Sequence, residues 1–361
     1  MRADPSGAVE LGEAIGRELD VERLWAALRQ RNVILSGRFG VGKTTLARLA
    51  LAHPPSGWIG QLVALGRLRT SPDACAAIVE ALVSDDDVRP EQLGGQPATA
   101  LRLAIDAALE RCEAGLVLIL DDFDRWLSEA ATLGPVGFAD LTSTLARACA
   151  EQPKLRLVLT SNTHVDRTIA RLRPEPLVGL VDGSARFELD SLSPESGARL
   201  VMALLLGESI TARDRAAFAR TLADNCGHVP RWIHCAMQYF VRRRKPIVDG
   251  DLERCMIEAV ADLERPPWSL GRELQRALDD YPQPQRGLAF SVLDQLALAE
   301  DQALTFAELR QQLAVELTID EDAIRRVIVE LRGDQLVRES GGCLRFHGEL
   351  LRNAWLKLRY L

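Results

Sequence analysis

Short apolar runs alternate with longer helical patterns through the first half of the chain. The apolar runs predict strands at 33–35, 57–65, 116–120, 155–159 and 186–189. Apolar residues at helical spacing predict helices near 24–28, 72–83, 98–113 and 138–150. Strands that alternate with helices of this length are typical of a parallel sheet covered by helices on both faces. We therefore expect an α/β fold that binds ligands at the carboxyl ends of its strands.

The strand patterns stop after Asp190, and the chain becomes helical. Ser193 is placed to cap the N-terminus of a helix whose first residue is Pro194. A small helical lid is predicted from patterns at 194–206, 211–224 and 230–243, with two more helices near 249–263 and 268–280. The Pro-rich stretch 281–284 is predicted to be a linker.

The last part of the chain has its own pattern of helices and strands. Helices are predicted at 286–299, 305–314, 320–333 and 348–359, and strands at 336–338 and 344–346. The two strands flank Gly341-Gly342, which predicts a β-hairpin with a tight turn. Three helices followed by a hairpin are typical of a winged-helix domain. The predicted domain boundaries are therefore 1–190, 191–284 and 285–361.

Composition and charge narrow the possible classes of protein. The chain has 361 residues, of which 47% are hydrophobic and 26% charged, and its formal net charge is −7. These values are ordinary for a soluble globular protein, and a negative net charge does not hold a protein to nucleic acid. We find no apolar run long enough to cross a membrane and no signal-peptide core at the N-terminus. The seven cysteines form no C-x-x-C pair, which favours a reducing, cytoplasmic location.

The residues from Gly37 to Thr44 read G-R-F-G-V-G-K-T, which fits the phosphate-binding P-loop pattern without a mismatch. The motif lies between a predicted strand and a predicted helix, where backbone N–H groups and the helix N-terminus attract phosphate. Lys43 is expected to reach the β- and γ-phosphates, and the Thr44 hydroxyl is expected to hold Mg²⁺. A chance match inside an ordinary glycine turn is the alternative.

Two acidic residues follow the predicted strand 116–120. Asp121 occupies the position of a magnesium-binding Walker B carboxylate, and Asp122 is placed to polarise the attacking water. Capping of the following turn is the alternative for both. Asn162 follows the next strand and is expected to contact the γ-phosphate, although asparagine is also a common turn residue.

Several basic residues are further candidates. Arg231, at the start of a lid helix, is a candidate for phosphate contact, with a solvated helix-end arginine as the alternative. His228 is a second lid candidate, for the β-phosphate. Arg171 and Arg173 are candidates for action on a neighbouring subunit, although surface arginines are commoner. The cluster 242–245 is a candidate contact for nucleic acid or an acidic partner, or a solvated helix end.

With these residues placed, the chain resembles the AAA+ and STAND superclass of P-loop ATPases, near origin-recognition ATPases and bacterial STAND-type regulators. The resemblance rests on motifs in family order. They are 15–19 (similar to a box near the adenine, with Gly16 and Arg17), 37–44 (Walker A), 116–122 (Walker B), 160–162 (sensor 1) and 227–231 (the lid motif, with Pro230 and Arg231 near sensor 2).

The resemblance implies a P-loop ATPase core at 1–190 that binds ATP or ADP with Mg²⁺. It implies nucleotide contacts from Gly16, Arg17, Gly37, Gly40, Val41, Gly42, Lys43, Thr44, Thr45 and Pro230, and metal binding by Thr44 and Asp121. It implies catalytic roles for Lys43, Asp121, Asp122, Asn162 and Arg231. The Asp121-Asp122 pair departs from the usual Asp-Glu of AAA+ motors. A shorter carboxylate lies farther from the attacking water, so slow hydrolysis is expected.

Three functions follow, of which an ATP-driven conformational switch acting on a protein partner or on its own assembly is favoured. The second is a DNA-binding ATPase of origin-recognition or loader type that uses the winged helix. Residues 285–361 carry ten Lys/Arg and twelve Asp/Glu, a net charge of −2, and the expected recognition helix begins with 320–322, all acidic. Because phosphate contacts supply most non-specific DNA affinity, this charge favours protein contact. The third is an interaction module with a vestigial nucleotide site.

Overall fold

Two compact units make up the described part of the chain. The computed structural model describes residues 1–4, 9–83, 96–134, 136–162, 179, 181–279, 281–316 and 320–360. The unit named here the sheet unit contains residues 17–36 and 43–189. The unit named here the C-terminal unit contains residues 1–16, 37–42 and 190–361. The three predicted domain boundaries remain a prediction.

The sheet unit contains five parallel strands and the helices that cover them. The strands are β1 (Val33–Ser36), β2 (Trp58–Ala64), β3 (Gly115–Asp121), β4 (Leu155–Ser161) and β5 (Ala185–Glu188). The helices are α1 (Glu18–Leu28), α2 (Lys43–Ala52), α3 (Ser71–Leu82), α4 (Pro97–Glu110), α5 (Phe123–Ala131) and α6 (Val136–Glu151). The strand order is β2-β3-β4-β1-β5, so the predicted parallel sheet is confirmed.

Strand register brings the carboxyl ends of β1, β3 and β4 to one edge of the sheet. Leu35 of β1 pairs with Thr160 of β4, and Leu120 of β3 pairs with Leu159 of β4. Every residue of β3 is buried, as expected for a strand covered on both faces. The side chains that follow these strands therefore share a short stretch of sheet edge.

Helix α5 was not predicted, although its pattern is strongly amphipathic. Phe123, Trp126, Leu127 and Ala130 recur at helical spacing and are all fully buried. They pack in the core of the sheet unit together with apolar residues of α3, α4 and α6. The helix is only nine residues long and follows two aspartates, which gave the impression of a turn.

The C-terminal unit contains nine helices of the described chain and a three-stranded antiparallel sheet. The helices are α7 (Pro194–Gly207), α8 (Arg215–Asn225), α9 (Pro230–Arg243), α10 (Asp251–Ala261), α11 (Leu270–Asp279), α12 (Gln283–Leu298), α13 (Phe306–Glu316), α14 (Glu321–Gly333) and α15 (Glu349–Arg359). The sheet has the order β6 (Leu304–Thr305), β8 (Cys343–Phe346), β7 (Val337–Ser340). None of the described helices is both long and apolar enough to span a membrane.

One continuous hydrophobic cluster runs through the C-terminal unit, from Leu192 to Trp355. The predicted cap of α7 is confirmed, because the Ser193 hydroxyl accepts the Ser196 backbone N–H at 3.1 Å. The predicted linker 281–284 is packed at its first residue and exposed at 282–284. Tyr281 is buried and its hydroxyl donates to Asp334 at 2.6 Å, while Pro284 lies in the first turn of α12, a position that proline tolerates.

Candidate nucleotide-binding site

Four predicted polar residues meet where β3 and β4 end. Nζ of Lys43 donates a hydrogen bond to Oδ1 of Asn162 at 2.8 Å. The Thr44 hydroxyl donates to Oδ2 of Asp121 at 2.7 Å. Lys43 and Thr44 begin α2, so the positive end of this helix and the Lys43 ammonium lie on the same side as the carboxylate. The structure therefore brings together residues that lie far apart in sequence.

Thr160 joins the two aspartates and was not singled out as a site residue. Its hydroxyl donates to Oδ1 of Asp121 at 2.7 Å and accepts the backbone N–H of Asp122 at 2.8 Å. Thr160 is fully buried, so these bonds form away from water. With Thr44 on Oδ2 and Thr160 on Oδ1, both oxygens of Asp121 are held in fixed directions.

Asp122 has an unusual backbone, with φ of 56°, in the left-handed region that few residues other than glycine adopt. It precedes the first residue of α5, and its side chain makes no cap hydrogen bond to that helix. The predicted alternative, that Asp122 only caps the following turn, therefore lacks the bond it requires. Asn162 Nδ2 lies 3.4 Å from Asp122 Oδ1, a weak contact.

Gly66, after β2, makes room for Asp122. A Cβ placed on Gly66 would lie 2.8 Å from Cβ of Asp122 and 2.8 Å from its Oδ2. Such distances do not occur between real side chains, so a larger residue at position 66 would move Asp122. No sequence signal identified this glycine, because the contact joins two loops far apart in the chain.

Asp124 is a buried carboxylate that the sequence analysis missed. It is 7% exposed, and its Oδ2 accepts the backbone N–H of Asn162 at 2.9 Å. Burial raises the pKa of the Asp124 carboxyl, while the Asn162 N–H and the charge of Lys43 oppose that shift. Its other oxygen, Oδ1, is buried and has no hydrogen-bond partner among the described residues.

Two glycines of the P-loop adopt backbone conformations that favour glycine. Gly40 has φ of 79° and Gly42 has φ of 106°. Gly40 is also crowded, because an added Cβ would lie 2.5 Å from Cβ of Arg231. Its carbonyl accepts the Arg231 backbone N–H at 3.2 Å, which attaches the loop to the start of α9.

Arg231 is partly buried against protein groups. Its guanidinium carbon lies 4.6 Å from the centre of the Phe39 ring, and Nη2 donates to the Pro267 carbonyl at 3.0 Å. The structure therefore departs from the alternative of a solvated helix-end arginine. Pro230, the other candidate of this lid motif, is the first residue of α9.

Arg38 of the P-loop contacts the C-terminal part of its unit. It is 5% exposed, Nη1 donates to the Gln335 carbonyl at 2.8 Å, and the guanidinium lies 4.3 Å from the Trp232 ring centre. Burial lowers the pKa of Arg38 to about 10, and the carboxylates of Glu273 and Asp334 oppose that shift. The P-loop pattern allows any residue at this position, so the motif alone did not single out Arg38.

Gly16 and Arg17 lie on opposite sides of the division between the two units. Gly16 has φ of 71°, and an added Cβ would lie 2.4 Å from Oγ of Ser196. Arg17 is buried and pairs with Asp20 at 3.0 Å. In the C-terminal unit, a cavity of about 700 Å³ beside Ile15 is lined mainly by α7 and α8.

The remaining candidates have simpler surroundings. His228 is buried with φ of 57°, its Nε2 lies 3.1 Å from Asp224, and burial lowers its pKa. In the basic cluster 242–245, Arg243 pairs with Asp251 at 2.7 Å. Arg171 and Arg173 lie outside the described residues.

The oxygen donors at the site suit Mg²⁺. Mg²⁺ in nucleotide sites is held by one or two protein oxygens together with substrate phosphates and water. The Thr44 hydroxyl and the Asp121 carboxylate, 2.7 Å apart, are hard oxygen ligands of this kind. Among the described residues no group of three or more His, Cys, Asp or Glu side chains is arranged to hold a metal by itself.

Comparison with known proteins agrees with this geometry. Residues 27–169, which include the P-loop motif, match a family model described as an AAA domain. The structure is similar to the Walker-type ATPase PABY2304 of Pyrococcus abyssi, with a TM-score of 0.64 and 14% identity over 95% of this chain and 96% of that chain. It is also similar to the ORC2 protein of Aeropyrum pernix in its ADPNP-ADP complexes, with a TM-score of 0.59 and 14% identity over 96% of each chain. No curated protein matches the chain in sequence.

At this identity the likeness to solved structures shows the fold alone. The chain has the α/β fold of P-loop NTPases, with a five-stranded parallel sheet and a helical C-terminal region. The AAA domain match covers residues 27–169 of the 361-residue chain and describes that segment.

Proposed function

We propose that this chain is a slow ATPase that works as a nucleotide-dependent conformational switch of AAA+ or STAND type. In this proposal the bound ligand is ATP or ADP with Mg²⁺, and the switch controls a protein partner or an assembly of its own copies in the cytoplasm. The Lys43, Thr44, Asp121 and Asn162 cluster at the sheet edge supports a polyphosphate site.

Each predicted site residue has a role in this proposal. The N–H groups of the loop from Gly37 to Gly42, including Gly40 and Val41, cradle phosphate, and Lys43 neutralises it. Thr44 and Asp121 hold Mg²⁺, which supplies charge neutralisation to the transferred phosphoryl group. Asp122 orients the attacking water, and Asn162 and Arg231 contact the γ-phosphate side. The remaining nucleotide contacts are Gly16, Arg17, Thr45 and Pro230.

Slow hydrolysis follows from Asp122. Its carboxylate is one methylene shorter than the glutamate usual in motors, and its backbone conformation and the contact at Gly66 restrict how far it can move. Because phosphoryl transfer depends mainly on positioning, a base held too far from the water lowers the rate. A slow turnover suits a switch, since each nucleotide state then lasts long enough to be read by a partner.

The observation that carries the switch proposal is the pair of contacts made by the P-loop within the C-terminal unit. Gly40 is bonded to Arg231 at the start of α9, and Arg38 is bonded to the Gln335 carbonyl just after α14. A phosphate bound by the backbone N–H groups of residues 37–42 contacts the same loop that makes these two bonds. A nucleotide can bias a conformation only through such differential contacts.

Hydrogen–deuterium exchange with ADP and with a non-hydrolysable ATP analogue tests this function. We expect nucleotide in the wild-type protein by native mass spectrometry, and different protection of 230–243 and 334–337 in the two states. Arg38→Ala is expected to keep nucleotide but lose the difference at 334–337. Equal exchange in both states, with both nucleotides bound, would refute the switch, and no bound nucleotide would instead favour a vestigial site.

DNA binding is the second candidate, and one observation favours it. The exposed face of α14, the helix before the hairpin of the proposed winged helix, carries Arg325, Arg326 and Arg332. Two of these arginines are offset by carboxylates, because Arg325 pairs with Glu321 and Arg332 with Glu339, both at 2.7 Å. A gel shift with long duplex DNA at low and high salt tests for DNA binding, since phosphate contacts weaken steeply with salt. No shift at low salt would exclude this function.

A further inference from the structure

Asp124 is a buried charged residue near the end of β3 to which no function has been assigned. It lies in the first turn of α5, two residues after Asp122, and is more deeply buried than a carboxylate normally tolerates. Within the part of the chain that the structure describes, its Oδ1 is buried without a hydrogen-bond partner. An unsatisfied buried polar atom destabilises the folded state, so its presence calls for a compensating role.

The contacts of Asp124 form a short relay. Oδ2 of Asp124 accepts the backbone N–H of Asn162 at 2.9 Å, and Oδ1 of Asn162 accepts a hydrogen bond from Nζ of Lys43 at 2.8 Å. Asn162 is the first residue after β4, where the sheet hydrogen bonds have ended. Asp124 therefore supplies the acceptor that fixes the backbone from which the Asn162 amide extends.

Building on the proposed function, we infer that Asp124 is a positioning residue for hydrolysis, which acts by holding Asn162 in the direction that serves Lys43 and the γ-phosphate side of the site. Asp124 contacts the reacting atoms only through Asn162. Its position in α5, with Phe123 and Trp126 buried on either side of it, keeps the carboxylate in place.

The alternative is a purely structural carboxylate that ties α5 to β4. The two roles differ in how they couple to Asn162. A positioning residue loses its effect once the Asn162 side chain is gone, whereas a structural residue contributes independently of that side chain. Loss of correct positioning also lowers kcat more than it weakens ground-state nucleotide binding.

The test uses ATP turnover and nucleotide affinity of Asp124→Ala, Asp124→Asn, Asn162→Ala and the double variant. Asp124→Ala is expected to lower kcat roughly 10- to 100-fold while the Kd for ADP changes less than about threefold. Asp124→Asn is expected to recover most of kcat, because its amide oxygen accepts the same N–H. The double variant is expected to be no slower than Asn162→Ala alone.

Asp251 provides the matched control. It is also buried, and its Oδ2 accepts the Val248 backbone N–H at 3.0 Å, but it lies at α10 in the C-terminal unit. Asp251→Ala is expected to lower the melting temperature with kcat unchanged. If Asp124→Ala fails to fold, Asp124→Ser and Asp124→Asn supply the comparison.

The outcomes separate this inference from the proposed function. Additive effects of Asp124→Ala and Asn162→Ala, or a raised KM with unchanged kcat, would overturn the inference while leaving the ATPase proposal in place. If the wild-type protein binds ATP without hydrolysing it, the hydrolysis proposal fails. In that case the inference about Asp124 is tested by the affinity for a non-hydrolysable ATP analogue relative to the affinity for ADP. If Asn162 produces a preference for the analogue, Asp124→Ala should abolish that preference. An unchanged preference in Asp124→Ala would overturn the inference.

Discussion

The ammonium of Lys43 is bonded to the side-chain oxygen of Asn162 at 2.8 Å, so the cation of the P-loop and the amide that follows β4 form one unit. Lys43 is also only 6% exposed. A buried ammonium in this cluster attracts anions strongly, because the low local dielectric strengthens its field.

Replacement of Lys43 by alanine is therefore expected to remove most nucleotide affinity. Loss of a charge-assisted hydrogen bond to phosphate costs about 1.5–3 kcal/mol, which corresponds to a 10- to 150-fold higher Kd. Titration with a fluorescent ADP analogue measures the change. Lys154→Ala is the control, since Lys154 is exposed and donates to the Glu113 carbonyl in the same unit. Equal affinity of Lys43→Ala and wild type would remove the site altogether.

Thr160 is expected to matter for hydrolysis through its hydroxyl. Thr160→Val keeps the shape but removes the donor to Asp121 Oδ1 and the acceptor for the Asp122 N–H. Leaving these buried groups unpaired is expected to lower the free energy of unfolding by about 1–3 kcal/mol and to slow hydrolysis, because both aspartates lose their orientation. Thr160→Ser restores the hydroxyl and should recover both. Chemical denaturation and ATP turnover are the measurements, and indistinguishable Val and Ser variants would contradict this role.

Substitution of Gly66 by alanine tests the position of Asp122. The added methyl would lie 2.8 Å from the Asp122 side chain, so the carboxylate has to move. We expect turnover to fall roughly tenfold or more with ADP affinity retained, because misplacement of a catalytic group lowers the reaction rate more than it weakens nucleotide binding. Gly287→Ala is the control, since its added methyl would have no atom within 4 Å and alanine favours the interior of α12. An unaffected turnover in Gly66→Ala would show that Asp122 does not need its present position.

Stability is expected to depend on pH through His234. This histidine is 3% exposed, its Nδ1 accepts the Asp4 backbone N–H at 3.0 Å, and burial lowers its pKa to about 4. Between about pH 4 and 6.5 the unfolded chain therefore binds a proton that the folded chain does not, so stability rises with pH across this window. The full effect is about 3 kcal/mol.

Denaturant titrations at pH 4.5 and 7 of wild type and His234→Gln measure this contribution. The glutamine variant should lose less stability between pH 7 and pH 4.5 than wild type does. His53→Gln is the control, because His53 is exposed. A wild-type stability that falls as pH rises from 4.5 to 7, or equal pH dependence in the two proteins, would exclude His234 as the cause.

The sequence was sufficient for the strands and for the residues at their ends, because buried runs and the P-loop spacing are local signals. Lys43, Thr44, Asp121 and Asn162 were chosen from such signals, and the structure brings them together, while their roles remain proposals. The strand order could not be predicted, since it depends on how α-helical crossovers pack.

The residues that were missed share one property, which is that their partners lie far away in the chain. Gly66 lies against Asp122, which is 56 positions away in the sequence. Asp124 is bonded to Asn162, 38 positions away, and Arg38 to Gln335, 297 positions away. Thr160 lies in the 160–162 motif but was not predicted to be a site residue, because its contacts with Asp121 and Asp122 depend on the pairing of β3 with β4. Contacts between residues so far apart produce no periodic pattern in a single sequence.

The short segment from Gly37 to Gly42 belongs to the same compact unit as residues 190–361, although in sequence it lies between two segments of the sheet unit. A truncated protein that stops near Leu189 would contain every letter of the P-loop yet would leave Arg38 and Gly40 without Gln335 and Arg231. Dissection of this protein into an isolated ATPase fragment would thus remove the scaffold of the loop it was meant to preserve, and recombinant work is better served by the intact polypeptide.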